Sequence, residues 1–179
     1  MTHLLHAKIG EVLGGVSLGR CKLLRDSACR GKQNIPLFVG RPKSNETECC
    51  NVDVLFLDGG RVRGIVEIEE GNIVPTQVCG KFLTSALASF YQHARHGDVP
   101  IPVQDAFFIQ IVDSSKLKRG RTAKLAQLGN IARSIENVLP LPAGGISYYK
   151  LFMVNGPGDS EGIESVMRWI SESLPASPN

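Results

Sequence analysis

Two spacings of apolar residues divide this chain into helices and strands. An apolar residue at every third or fourth position is typical of a helix with one buried face, and short runs rich in Val, Ile, Phe and Tyr are typical of strands. The helical spacing predicts four helices, at about residues 3–18, 80–94, 121–138 and 161–174. The apolar runs predict a hairpin within residues 51–71 and further strands at residues 35–39, 106–112 and 146–154.

In chain order the predicted elements are a helix, a strand, a two-stranded hairpin, and then helix, strand, helix, strand and helix. Strands that alternate with helices indicate an α/β fold, in which a mixed central β-sheet is flanked by helices. With 179 residues, of which 42% are hydrophobic, the chain is long enough to bury one core, and no linker divides it. We therefore predict a single domain over residues 1–179.

The predicted hairpin, NVDVLFLDGGRVRGIVEIEEG, carries carboxylates among apolar residues. Asp53 lies on its first strand, and Glu67 and Glu69 lie on its second. Because side chains two positions apart in a strand share a face, the two glutamates point to the same side of the sheet. Burying carboxylates in this way is costly unless a cation or a proton shares the charge. The hairpin therefore predicts a divalent metal site; a solvated strand end is the alternative.

The length of the hairpin turn decides whether Asp53 joins the glutamates. A turn of Gly59-Gly60 alone would place Asp53 across from Val66, on the other face of the sheet. A three-residue loop shifts the pairing by one residue, so that Asp53 lies directly across from Glu67. The loop that gives this pairing is residues 59–61, and the alternative loop, residues 58–60, also keeps Asp53 and Glu67 on one face. This register also collects apolar side chains on one face, namely Val52, Val54, Phe56, Val66 and Ile68.

The net charge of +3 does not by itself indicate a nucleic-acid partner, but the basic residues are unevenly distributed. One group lies between a predicted strand and a helix start, and consists of Lys116, Lys118, Arg119, Arg121 and Lys124. Arg41 and Lys43 lie in the loop before the acidic hairpin. Lysines and arginines beside the amides of a helix N-terminus are suited to bind phosphates, so we predict nucleic-acid contacts here. A solvated basic loop is the alternative.

Two further features concern location and cysteine chemistry. The first residues are too polar for a secretory signal, and no apolar run is long enough to span a membrane, so we expect a cytoplasmic protein. Its five cysteines are then reduced by default. Their spacing does not match the short spacing of zinc-binding cysteine pairs, which favours small buried residues over a zinc site.

The order of a helix, three strands with acids on the second and third, a helix and a strand is similar to the core of the restriction-endonuclease-like PD-(D/E)XK nuclease superfamily. Asp53 and the triplet Glu67-Ile68-Glu69 carry the resemblance. In that family, an aspartate on the second strand and an acid-x-lysine triplet on the third bind magnesium and activate water. Glu69 stands at the usual lysine position here. Some family members have moved this lysine to the following helix, which makes Lys81 the candidate; a solvated lysine is the alternative.

The resemblance implies a magnesium-dependent DNA endonuclease, a hydrolase of a restriction system that acts on double-stranded DNA as a homodimer. Asp53, Glu67 and the Ile68 carbonyl would bind one or two Mg²⁺ ions, with Mn²⁺ as a substitute. Glu69 would bind a second ion or orient water as a general base. A repair or junction nuclease is a variant of this prediction. The alternative is a non-catalytic DNA-binding or assembly subunit with a degenerate nuclease fold.

Overall fold

The computed structural model describes residues 3–118, 121–142 and 144–174. These residues form four α-helices and eight β-strands. The helices are α1 (Leu4–Gly15), α2 (Pro75–Ala86), α3 (Arg121–Val138) and α4 (Ser160–Ser173). The strands are β1 (Lys22–Arg25), β2 (Pro36–Phe38), β3 (Glu48–Asn51), β4 (Val54–Asp58), β5 (Arg61–Glu69), β6 (Phe90–Tyr91), β7 (Ile101–Asp113) and β8 (Ile146–Val154).

The eight described strands form one mixed sheet, which confirms the predicted α/β class. β1, β4 and β5 are joined as an antiparallel meander, and β5, β7 and β8 run parallel to one another. β7 is long enough to belong to two parts of the sheet. Its first residues pair with β6, from which β2 and β3 continue as an antiparallel extension.

Helices cover both faces of the sheet, as predicted. α1 and α4 pack on the face that carries Val54, Phe56, Val66 and Ile68. α2 and α3 pack on the opposite face, against residues such as Leu55 and Ile65. Alternating residues of β4 therefore enter different cores, and the whole strand is buried.

Three predicted elements agree closely with the structure, because their apolar residues repeat without interruption. α3 and β8 have the predicted bounds, and α4 is displaced by one residue. α4 begins after Asp159, whose carboxylate accepts a hydrogen bond from the Gly162 amide and caps the helix. α1 ends at Gly15, where neighbouring glycines weaken the helical pattern.

α2 begins five residues earlier than predicted and ends well before residue 94. It starts at Pro75, whose fixed φ suits the first turn of a helix. Phe90 and Tyr91, which fall in the last part of the predicted helix, form the strand β6 instead. Phe90 of β6 stacks on Phe38 of β2, with 5.5 Å between the ring centroids, so a tertiary contact overrides the local helical spacing.

Besides β6, two strands were not predicted, and one strand is longer than predicted. β1 has only four residues, and β3 has a mixed sequence, ECCN, without an apolar alternation. β7 begins at Ile101 rather than at residue 106, so it includes Pro102. A proline near the start of a strand is compatible with pairing, although it argues against a strand in the sequence.

The β4–β5 hairpin reaches the predicted register by a different route. Asp58 pairs with Arg61, so the turn contains only Gly59 and Gly60, both at positive φ. The predicted three-residue loop is therefore wrong. The one-residue shift arises farther along, where Leu57 pairs with Val62 but Phe56 pairs with Gly64.

Arg63 is the extra residue of this β-bulge, since it lies on β5 between the two shifted pairs. Beyond the bulge Val54 pairs with Val66, and the same register places Asp53, just before β4, across from Glu67. Val52 differs from the prediction, because it packs in the core on the α2 side rather than with Val54. The chain bends at Asp53, and the strict alternation of faces is lost there.

Candidate functional site

The predicted acidic residues lie at the end of the sheet where β5 finishes. Asp53 directly precedes β4 at this end of the sheet. Glu67 and Glu69 are near the last residue of β5, the antiparallel neighbour of β4. α1 approaches from one face and α2 from the other. A cavity of about 510 Å³ opens there and is lined by His3, His6, Glu69, Glu70, Lys81 and Lys116, among others.

Glu67 is the most deeply buried of these carboxylates, with only 2% of its side chain exposed. Its Oε2 lies 2.8 Å from Nζ of Lys81, which donates a hydrogen bond to it. Burial, and after it the nearby charge of Asp53, raise the pKa of Glu67 well above its usual value, although Lys81 opposes this rise. Keeping this buried carboxylate ionised is costly unless a cation lies beside it.

Lys81 supplies a positive charge to both glutamates from the middle of α2. Its Nζ lies 2.8 Å from Glu67 and 3.2 Å from Oε1 of Glu69. Burial opposes the charged form, but the two carboxylates outweigh it and raise the pKa of Lys81. Lys81 was predicted near the start of its helix; because α2 begins at Pro75, the residue lies farther inside the helix and faces β5.

Asp53 is held in place from both sides. Its Oδ2 accepts a hydrogen bond of 2.7 Å from the backbone N–H of Ile68 and lies 3.5 Å from Nε2 of His6. Burial favours the neutral acid, but the hydrogen bond and charge of His6 outweigh it and lower the pKa of Asp53. Asp53 is therefore ionised at neutral pH and has a fixed orientation.

The donor types of this cluster fit Mg²⁺, which prefers hard oxygen ligands. Glu69 Oε1 is buried and, apart from its ion pair with Lys81, has no hydrogen-bond partner. The carboxylates of Asp53, Glu67 and Glu69 are nevertheless not gathered as a three-ligand set. Within the described parts of the chain, one group alone brings three ligand atoms within 4.8 Å of one another, and it consists of His3, His6 and Glu70.

The sequence reasoning missed this second group. Glu70 follows β5 directly, and one of its oxygens, Oε1, accepts hydrogen bonds from the backbone N–H groups of Leu5 and His6 at the start of α1. Its other oxygen faces the two histidine rings. The available signal was the three-residue spacing of His3 and His6 at a helix start, but only the fold brings Glu70 to them.

The predicted basic residues fall into two places. Lys116 lines the cavity. Lys124 donates a hydrogen bond to the side chain of Asn72, and the amide of Lys118 contacts the same side chain. Arg121 binds the side chains of Ser114 and Asn155. Arg119 lies outside the described residues.

Arg41 and Lys43 are not brought to the carboxylates. The Arg41 guanidinium lies over the Phe90 ring, 5.6 Å from its centroid, and Lys43 pairs with Asp98 at 2.6 Å. Phe90 pairs with Pro102 at the start of β7, whereas Glu67 lies beside Gln110. At the usual rise of a strand these two levels of β7 are roughly 26 Å apart.

Comparison with known protein families, with curated proteins and with solved structures finds no match to this chain. Within the parts of the chain that the structure describes, no helix has the length and apolar character needed to cross a membrane. Function has to be inferred from the geometry and chemistry of the site itself.

Proposed function

We propose that this chain is a magnesium-dependent DNA endonuclease with a restriction-endonuclease-like core. The observation that carries the proposal is the buried Glu67 at the end of a central strand, ion-paired with Lys81 of the next helix and faced by the ionised Asp53. Buried ionisable side chains whose pKa values are shifted by burial and by a specific charged partner are candidates for a functional site.

The order of the elements supports the proposal. α1 is followed by the meander of β1, β4 and β5, then by α2, and then by β7, which runs parallel to β5. With the inserted strands β2, β3 and β6 left aside, this order resembles the αβββαβ order of the nuclease superfamily. β1 takes the place of the first core strand, for which the sequence had suggested residues 35–39; that segment instead contains β2, in the sheet extension.

Lys81 supports the proposal from the following helix. Some members of the family that the chain resembles have Glu-x-Glu in the triplet and still cleave DNA, and in others the lysine has moved to the helix that follows. Its raised pKa keeps the ammonium charged at neutral pH, so Lys81 would act as a fixed cation toward a phosphate group rather than as a base. Glu69 is then the group available to orient water.

Asp53, Glu67 and the carbonyl of Ile68 would hold Mg²⁺ in this proposal. A bound Mg²⁺ ion supplies a Lewis acid for the scissile phosphoryl group and favours ionisation of the attacking water. The Ile68 amide and His6 hold the Asp53 carboxylate in a fixed orientation.

Double-stranded DNA would approach over the β7–α3 connection. Lys116 lines the cavity, and the side chain of Asn72 anchors the following basic segment beside the carboxylates. These basic groups would contact phosphates and position the duplex without reading its sequence. A homodimer with two-fold symmetry would present one site to each strand.

Plasmid cleavage with Mg²⁺ and with EDTA tests the proposal. Wild-type protein should cleave only with the metal, and Glu67→Gln should reduce the rate by roughly 100-fold or more, since it removes the charge and keeps the shape. Glu164→Gln, on the exposed face of α4, is the matched control and should cleave normally. Absence of cleavage by folded wild-type protein on plain and branched duplexes would exclude the nuclease.

One observation favours a second candidate, a DNA-binding subunit with a degenerate nuclease fold. Lys81 already neutralises Glu67 and Glu69, and the three carboxylates are not drawn together. In that case duplex DNA should bind without cleavage. Lys116→Ala should weaken the binding, while Glu67→Gln should leave it unchanged.

A further inference from the structure

α1 and the end of β5 bring together a set of ligands that differs from the magnesium cluster. His3 lies immediately before α1, and His6 lies in its first turn. Residues three apart share one face of a helix, so both rings turn toward the same neighbour. That neighbour is Glu70, which follows the last residue of β5.

The spacing of the ligand atoms suits a small metal ion. Nδ1 of His3 and Nδ1 of His6 each lie 3.5 Å from Oε2 of Glu70. An ion with tetrahedral bonds of 2.0–2.1 Å requires its ligand atoms to be roughly 3.3 Å apart. The observed separations therefore need only a small adjustment to accept an ion.

Two of the three ligands are already oriented. Oε1 of Glu70 accepts hydrogen bonds from the backbone N–H groups of Leu5 and His6. Oε2 is therefore directed to the histidine rings. Nδ1 of His6 is buried and has no hydrogen-bond partner. A buried polar atom without a partner is costly, and a bound ion would satisfy it.

His6 also has the outer contact that metal-binding histidines usually show. Its second nitrogen, Nε2, lies 3.5 Å from Oδ2 of Asp53. A carboxylate at this position fixes the ring and increases its basicity as a ligand. Asp53 would thus support this ion through His6.

We propose that His3, His6 and Glu70 bind one divalent first-row transition ion, and that Zn²⁺ fits the set best. Two imidazole nitrogens and one carboxylate oxygen suit Zn²⁺, whereas the all-oxygen cluster around Glu67 suits Mg²⁺. Three protein ligands leave one position open toward the cavity that His3, His6 and Glu70 line. This inference does not depend on the nuclease proposal, because it concerns different ligands and a different ion.

Zn²⁺ binding to untagged, metal-free, full-length protein tests the inference. Competition with a chromophoric chelator should show one tightly bound Zn²⁺ per chain, and millimolar Mg²⁺ should not displace it. His3→Ala should weaken binding by more than the roughly 100-fold that loss of an outer contact can cause. His3 has half of its side chain exposed, so this variant should fold.

Two more variants complete the design. His93→Ala is the matched control. His93 and His96 have the same spacing as His3 and His6, but among the described residues they do not belong to a group of three potential metal ligands. Glu70→Gln keeps an oxygen that can accept the α1 amides and removes only the charge, so it should weaken Zn²⁺ binding with the helix content unchanged by circular dichroism.

Unchanged affinity in both His3→Ala and Glu70→Gln, or no Zn²⁺ bound by the wild-type chain, would overturn the proposed site. DNA cleavage is a separate readout. If the wild-type chain binds Zn²⁺ but does not cleave DNA, the result counts against the nuclease alone. If it cleaves DNA but binds no Zn²⁺, the result counts against the zinc site alone.

Discussion

The two ends of the β4–β5 hairpin bury carboxylates in different ways. At the turn, Asp58 has 1% of its side chain exposed, and both its oxygens contact the guanidinium of Arg20, at 2.6 and 3.1 Å. At the open end, Lys81 pairs with Glu67 and Glu69. Asp53 and Glu70 lie beside His6 instead, each with an oxygen 3.5 Å from one of its ring nitrogens.

The difference separates a structural ion pair from a candidate site. Asp58 and Arg20 balance one charge with one charge through two contacts. The open end keeps an excess of negative charge, together with a cavity and a buried histidine nitrogen without a partner. Excess charge in a buried place favours bound cations.

The largest effect is expected from removing the cation at either end. Lys81→Met and Arg20→Met each leave a buried carboxylate without its partner, so each should lower the free energy of unfolding by about 3 kcal/mol. Lys81→Met should also reduce DNA cleavage by roughly 100-fold, while Arg20→Met should not. Urea denaturation and plasmid cleavage below the unfolding midpoint measure the two effects. Equal loss of cleavage in both variants would show that cleavage follows stability alone.

Added Zn²⁺ should raise the free energy of unfolding through the ligands at the open end of the hairpin, and not through the Asp58–Arg20 pair at the turn. At a free concentration of 100 times Kd, a ligand that binds only the folded state raises the free energy of unfolding by about 2.7 kcal/mol. The gain should disappear in Glu70→Gln and persist in Arg20→Met. Thermal unfolding of metal-free protein with and without Zn²⁺ checks this, and stabilisation retained by Glu70→Gln would contradict it.

The pH dependence of stability should also differ between the ends. Because burial raises the pKa of Glu67, the folded state binds a proton at this group more tightly than the unfolded state does. The contribution of Glu67 to stability is therefore fully present below its pKa in the unfolded state. It is lost as the pH rises through its pKa in the folded state, by at most about 1.4 kcal/mol per pH unit. Urea titrations in EDTA should show this slope in the wild type and a smaller one in Glu67→Gln. Equal slopes in the two proteins would show that Glu67 does not titrate in this range.

The smallest effect concerns the bulge between the two ends. Arg63 pairs with Asp105 at 2.7 Å, and this hydrogen bond lowers the pKa of Asp105. The pair stabilises the fold at pH values above the pKa of Asp105 in the unfolded state. This stabilisation is lost as the pH falls through the lowered pKa of Asp105 in the folded state. Half of the Asp105 side chain is exposed, so Asp105→Asn should cost less than about 1 kcal/mol at pH 7. The difference between the wild type and the variant should vanish once the pH is below the lowered pKa of Asp105; a difference that persists there would indicate another cause.

Local sequence determined the elements whose pattern is strong. α3 and β8 have the predicted bounds because their apolar residues repeat over many positions, and tertiary contacts reinforce the same choice. The common face of Glu67 and Glu69 follows from the two-residue period of a strand alone. β6 and α2 differ from the prediction because the stacking of Phe90 on Phe38 is a contact between distant residues.

The sequence by itself determined that this chain forms an α/β fold with an acidic hairpin, because periodicity and composition are local properties. Only the tertiary structure decided which groups meet. The bulge at Arg63, rather than the turn, places Asp53 across from Glu67, and α2 carries Lys81 to the glutamates. Likewise, His3 and His6 meet Glu70 across more than sixty residues of chain. Such contacts depend on how whole elements pack, and no local pattern encodes their distances.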